Sequence, residues 1–368
     1  MEFIKNRKNV IAVVVLALFI HLLRVSVLPV NSEDVGKEKY ARVIEKEAPE
    51  GKVKKKRSIW PYIIGGVVAV GVVVFFMVKK SGDDNKGPIT TSEWGERGSG
   101  AGQFNRPSAI CLDSNGYVYV ADVGNDRIQK FTQNGEFVKQ WSSTSSQNFS
   151  PYGMVVHDQK LYVCDISVDR IVIFSLSGEQ LDSWLVPYPV GGVNTIPIDI
   201  TVDAAGNFYV TDHLNHCILK YNNQGTIIKT WGNGQGDGQG AIALNTPRGI
   251  FAWNNEVFVC DSMNYRMVVF DANGQFLRQW QTYGTHFPAD IDIWGSDTLL
   301  VVQKFVPQVG HITGGSIHKY DLNGTHLGYI PYDKYGFASP SGIAVNNRKN
   351  KVYITDFELH KVFVIDPD

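Results

Sequence analysis

The chain has 368 residues, 43% hydrophobic and 19% charged, with 36 glycines. That composition excludes a disordered protein and suits a globular one rich in strands and turns. Its net charge of −1 hides a division, because 16 basic and 9 acidic residues run up to Gly87 and 19 basic against 27 acidic follow. Nucleic-acid affinity rests on lysines and arginines displacing counterions, so the acidic second part makes RNA or DNA an unsuitable partner.

Residues 1–31 read as a signal peptide or signal anchor: Lys5, Arg7 and Lys8 precede an apolar run from Val10 to Leu23, with no small-residue cleavage site after it. Residues 32–58 are dominated by Lys and Glu and read as a charged, disordered tether. Residues 59–78 (IWPYIIGGVVAVGVVVFFMV) are apolar almost throughout and long enough to cross a bilayer, so the sequence predicts a transmembrane helix there. The heavier basic flank, Lys54–Arg57, precedes this segment and predicts an extracytoplasmic location for whatever follows the linker 79–87.

From Pro88 onward the sequence repeats. One unit runs from Pro107 through Tyr117–Asp122 and Asn125–Phe131 to Phe137–Trp141, with apolar runs alternating at period two and Gly-bearing turns between them. Such a unit is a four-stranded antiparallel meander. It recurs from Pro151 to Trp184, from Pro197 to Trp231 and from Pro247 to Trp280; a degraded copy starts at Pro288 and a sixth at Pro340. The sixth lacks its outer strand, which Ile89–Trp94 is expected to supply, pairing the two ends of the domain and removing an open edge. The expected fold is therefore all-β, a six-bladed β-propeller over 88–368 closed by its N-terminal strand. Cys111, Cys164, Cys217 and Cys260 stand singly at apolar positions, as buried thiols rather than a disulfide framework.

The pattern resembles the NHL repeat, carried by Trp94–Gly95 with Phe104 and Pro107, by Asp122 with Asn125 and Arg127, and by Asn264 with Arg266. The resemblance covers about three quarters of the chain. It implies a propeller but not one activity, since the family includes enzymes, sensor domains of bacterial receptor kinases and RNA- or protein-binding scaffolds.

Ligands are expected on the face where the innermost strands begin. The recurring Asp122, Asp165, Asp212, Asp261 and Asp356 lie there as turn acceptors and as partners of Arg127, Arg170 and Arg266. Asp199, Arg248 and Asp290 are placed beside the central channel, and the two carboxylates suit a hard cation such as calcium. Two loops on this face are long, 185–196 with Tyr188 and 303–316 with Phe305 and His311, and their apolar, aromatic composition fits a binding rim. His213, His216 and His360, with His286 and His311 nearby, are candidate zinc ligands. The stretch Asp356–Phe363 is similar to a blade motif of the peptidyl-hydroxyglycine amidating lyases, a resemblance that implies a metal-dependent lyase or hydrolase. No GxSxG, HExxH or phosphate-binding loop is present. The sequence favours a membrane-anchored, non-enzymatic binding, sensor or scaffold domain for a protein or small ligand, needing no cofactor, with the lyase as the alternative.

Overall fold

The computed structural model describes residues 66–69, 72–75, 92–144, 148–187, 194–232, 243–284, 286–304, 314–330 and 335–367. Each repeat folds as one four-stranded antiparallel sheet in chain order. In blade 1, Pro107–Leu112 lies innermost, followed outward by Val118–Asp122, Arg127–Phe131 and Phe137–Trp141. Side-chain burial follows this order: Val118–Asp122 is buried on both faces, whereas Phe137–Trp141 is exposed except for its last residue. Blades 2, 3 and 4 begin at Pro151, Pro197 and Pro247. The degraded fifth begins one residue before its proline, as Phe287–Trp294.

Blade 6 consists of Pro340–Asn346, Lys351–Asp356, Lys361–Ile365 and, as its outer strand, Ser92–Trp94. Val362, Phe363 and Val364 pair with Trp94, Glu93 and Ser92, so the expected closure by the N-terminal strand is observed. The apolar cores lie between blades rather than within them. Six clusters fill the six seams, among them Tyr119, Trp141 and Phe174 between blades 1 and 2, and Phe104, Phe131 and Tyr353 between blades 6 and 1. All four cysteines are buried free thiols.

One contact repeats around five seams. Trp141 ends the outer strand of blade 1 and lies on Gly178, which turns the chain between the third and fourth strands of blade 2. Trp184 meets Gly225, Trp231 meets Gly274, Trp280 meets Gly324, and Trp94 meets Gly135 across the closure. Each of these glycines has φ between +77° and +92°, and a Cβ there would approach the indole to 2.3–2.6 Å. Both the backbone angle and the flat indole therefore require glycine. Only the seam from blade 5 to blade 6 differs: Ile330 takes the tryptophan position and packs with Phe337 and Phe363.

The chain divides between Gly82 and Asp83. Within the segment expected to form a helix at 59–78, the described backbone is instead two short strands, Gly66–Ala69 and Val72–Phe75, paired antiparallel. Both are rich in valine, whose branched Cβ favours extended backbone. The rest of that segment, together with the leader, tether and linker expected at 1–58 and 79–87, lies outside the described residues. Among the described residues no helix is long and apolar enough to cross a membrane.

Candidate functional site

The second strand of five blades ends in an aspartate that is completely buried: Asp122, Asp165, Asp212, Asp261 and Asp356. A buried carboxylate needs its lone pairs filled, and here the loop arriving from the preceding blade supplies donors. Asp122 accepts from the backbone N–H of Asn105 at 2.6 Å, from Asn125 at 2.8 Å and from Arg127 Nε at 2.8 Å. Asp165 and Asp261 do the same with Ser150 and Arg170, and with Asn245 and Arg266. Asp356 has no arginine and accepts four backbone N–H groups, from Ala338, Ser339, Glu358 and Leu359. The aspartates are thus the fasteners of the loop-bearing face, as the repeat implies.

Blade 5 breaks the rule. Pro288 pairs with Gln303 where Pro107 pairs with Asp122, so glutamine occupies the aspartate position and gives its amide to Tyr320 Oη at 2.7 Å. The next residue, Lys304, lines the mouth of the central channel with Asp199, Arg248 and Asp290. The structure therefore brings together the three channel residues singled out from sequence and adds a lysine that was not. A signal for it existed in the missing aspartate of the fifth copy. Tyr188, Phe305 and His311 lie outside the described residues.

The inner strands approach one another closely at the third residue of each blade. There stand Ala109, Gly153, Asp199, Gly249, Asp290 and Gly342, and a Cβ on Gly153 or Gly249 would come within 2.4–2.6 Å of the Cα of Asp199 or Asp290. Each aspartate reaches to the next blade: Asp199 accepts from Ile250 N–H at 3.0 Å and Asp290 from Ile343 N–H at 2.8 Å. Two residues further, Asp292 accepts from Val345 N–H at 2.7 Å. Below the constriction a cavity of about 200 Å³ is lined by all six inner strands, including Asp292 and Thr201.

Burial raises the pKa of all three carboxyls, and for Asp290 the nearby Asp199 charge adds to it. Asp292 is pushed up to about 7. Although these groups line the channel cavity, protein packs closely around them, so the charged form is poorly solvated. With the folded-state pKa above the unfolded value, the folded chain binds the extra proton, and stability contributed below pH 4 is lost as pH rises through about 7. Asp292→Asn removes the titration but can accept only one of the two backbone N–H groups, of Ile293 and Val345, that the carboxyl accepts, so the parent is expected to lose about 1–2 kcal/mol of stability relative to this variant between pH 4 and pH 8, after discounting for the open channel. Urea midpoints at the two pH values check this.

His216 and His360 occupy equivalent left-handed positions, with φ of 55° and 58°. Each turns Nδ1 toward the following blade, where His216 accepts from Thr246 N–H and His360 from Arg106 N–H, both at 2.9 Å. These imidazoles clamp one seam each, and that use of Nδ1 is invisible without the register between blades. His213 has its pKa lowered by burial and by neighbouring Arg248. The structure does not gather the candidate histidines around one point: among the described residues no three His, Cys, Asp or Glu side chains converge as a metal site would require.

Six four-stranded blades around a channel, cinched by aspartate fasteners and closed by the N-terminal strand, define a ring propeller with Arg248 and Lys304 at the channel mouth. Residues 104–131, 195–221 and 337–365, each running from the incoming loop through the third strand of blades 1, 3 and 6, match the NHL repeat. The chain thus carries NHL repeats within a six-bladed propeller. It is similar to Protein lin-41 of Caenorhabditis elegans, 49% identical over 53 residues, covering 14% of this chain and 4% of that one. It is 44% identical over 66 residues to human NHL repeat-containing protein 3, covering 16% and 19%. Similarity to Protein brain tumor of Drosophila melanogaster extends over 190 residues at 25% identity, 51% of this chain and 14% of the relative. The chain thus spans less than a fifth of the length of these relatives.

Among solved structures, the catalytically inactive virginiamycin B lyase of Staphylococcus aureus with Quinupristin aligns with a TM-score of 0.53 at 16% identity, covering 74% of this chain and 82% of that one. Luciferin-regenerating enzyme aligns with a TM-score of 0.54 at 12% identity, covering 75% and 95%. These likenesses are of fold.

Proposed function

We propose that the propeller is a recognition module that engages a protein partner through its loop-bearing face, displayed from a membrane by the apolar segment 59–78. The observation that carries this reading is the division of labour on that face. The aspartates and the clamping histidines are consumed in holding loops and seams, while Arg248 and Lys304 are left at the channel mouth beside Tyr152. A rigid scaffold that leaves half-buried cationic and aromatic side chains at the ends of its strands, facing an opening, is the arrangement of a binding surface. For the anchor, the support is the length and apolarity of 59–78 and its basic flanks.

The full chain, solubilised in mild detergent, is expected to carry substoichiometric zinc and calcium by elemental analysis. His216→Ala and His360→Ala are expected to leave that content unchanged and to cost about 1 kcal/mol of stability each, the worth of one clamping hydrogen bond. Stoichiometric metal that disappears in either variant would overturn the recognition reading and favour a metal-dependent lyase. Washing membranes at alkaline pH before solubilisation reads the anchor: release of the full chain into the wash would remove it from the proposal.

A further inference from the structure

Three buried or half-buried arginines of the loop-bearing face are neutralised. Arg127, Arg170 and Arg266 each meet an aspartate at 2.6–3.0 Å. Arg248 and Lys304 differ. Among the described residues neither has a carboxylate within 4.0 Å, and neither side chain donates a hydrogen bond. Both nevertheless line one cavity at the channel mouth, partly shielded from solvent. A cation held there without a counter-charge is poorly solvated, which is a cost the fold has no structural reason to bear.

The nearby carboxylates Asp356, Asp290 and the exposed Glu358 offset the Lys304 charge only in part, and none is within ion-pair distance. Asp356 is saturated by four backbone N–H groups. Asp199 and Asp290 face sideways onto the backbone of the next blade and are held toward the neutral acid by burial. The Lys304 ammonium is brought down to about 8, by burial first and then by the Arg248 charge, which the surrounding carboxylates offset only in part. Beside them, Phe357 carries Lys304 at 5.8 Å and Arg106 at 5.6 Å from its ring centroid, extending the cationic mouth toward the seam between blades 6 and 1.

We propose that Arg248 and Lys304 form a carboxylate-binding site at the channel mouth, and that its ligand is an acidic peptide segment of a protein partner. The assignment rests on the recognition reading and names the chemistry of that site. The guanidinium fork offers two parallel donors to a carboxylate, Lys304 a third from the side, and Phe357 and Tyr152 an apolar rim for the peptide stem. The cavity that Arg248 and Lys304 line is small, about 30 Å³. A nucleic acid is disfavoured by the same charges that favour a single carboxylate. The propeller as a whole carries 27 acidic against 19 basic residues, so its far field opposes a phosphate polymer while the two local cations accept one anionic group.

The test uses the full chain in detergent and four fluorescent probes read by polarisation at low salt. They are an N-acetylated, C-amidated hexaglutamate; an N-acetylated hexaglutamine with a free C-terminus; its amidated, uncharged counterpart; and a decauridylate. The expected result is binding of the hexaglutamate, of the free C-terminus, or of both, the pair distinguishing a side-chain from a terminal carboxylate, with no binding of the uncharged peptide. Arg248→Gln and Lys304→Met are each expected to weaken it about tenfold or more, as loss of a charge-assisted hydrogen bond does, whereas Lys304→Arg retains it. If Arg248→Gln lowers the melting temperature, Arg248→Lys replaces it, keeping the charge while losing the fork, with a loss of about threefold expected. Failure of both carboxylate peptides to bind, binding indifferent to the variants, or binding of decauridylate alone overturns the assignment. Indifference to the variants overturns this site only, while bound metal lost in the histidine variants overturns the recognition reading itself, so the two failures are told apart.

Discussion

Arg127→Ala is expected to cost the propeller about 3–5 kcal/mol, the range for removing one partner of a buried ion pair. The guanidinium has five N–H donors and all are engaged. Nε meets Asp122 at 2.8 Å, one terminal nitrogen meets Ser99 O at 2.7 Å and Gln140 at 2.8 Å, and the other meets Gly100 O and Gln103 O at 2.8 Å. Its loss uncovers the negative charge of Asp122, which has no solvent access, and takes one bond from each of three carbonyls of the loop 99–103 that leads from the closing strand into blade 1, of which Gly100 O keeps Gln103 N–H and Gln103 O keeps Gln129. Arg266→Ala makes the comparison, because its pair with Asp261 is as short, at 2.6 Å, but its side chain is more exposed and binds a single loop carbonyl, Ala243 O. It is expected to cost about half as much. Arg127→Lys is not expected to rescue, since one ammonium cannot span five acceptors. Urea denaturation reads all three, and a loss under about 1 kcal/mol for Arg127→Ala would show that the loop is held by other means.

Much of this architecture is written locally and therefore legible. The alternation Tyr117–Asp122 and the Gly-bearing turn at Gly135 recur with the blade, and the terminal Trp141 in most copies, so the six units and the closing strand follow from the repeat. Pairing of Asp122 with Arg127 spans five residues on adjacent strands and is equally local. What escapes is set by contacts between blades. That His216 and His360 turn Nδ1 onto the next loop depends on left-handed backbone at Thr246 and Arg106, residues that no repeat motif marks. Asp292 carries a bond to Val345 only because blades 5 and 6 run in that register. Lys304 becomes a candidate site residue through an omission, the absent aspartate of blade 5, and an omission gains meaning only once the channel shows what stands in its place. At 59–78 composition argues for a bilayer-spanning helix while valine content argues for strand, and length does not arbitrate between them.

The closing strand tests the ring itself. Trp94 packs against Phe131 and Tyr353, lies on Gly135 of blade 1 and pairs with Val362 of blade 6, so it joins the first blade to the last. Trp94→Ala is expected to cost about 3–5 kcal/mol, as large-to-small aromatic substitutions in packed sites do. Trp280 is the matched control: it is half-buried like Trp94 and lies on a turn glycine, Gly324, but its strand is covalently continuous with blade 4. Trp280→Ala should therefore lose similar packing energy without opening the ring. Hydrogen exchange separates the two, because the amides of Lys361–Ile365 are expected to lose protection in Trp94→Ala and to keep it in Trp280→Ala. Deleting Ser92–Trp94 goes further, leaving Lys361–Ile365 as an unpaired edge with Val362 and Val364 uncovered, and concentration-dependent aggregation is expected in place of a cooperative transition. Equal protection of Lys361–Ile365 in all three variants would mean that the inner ring of strands, not the shared outer strand, holds the propeller closed.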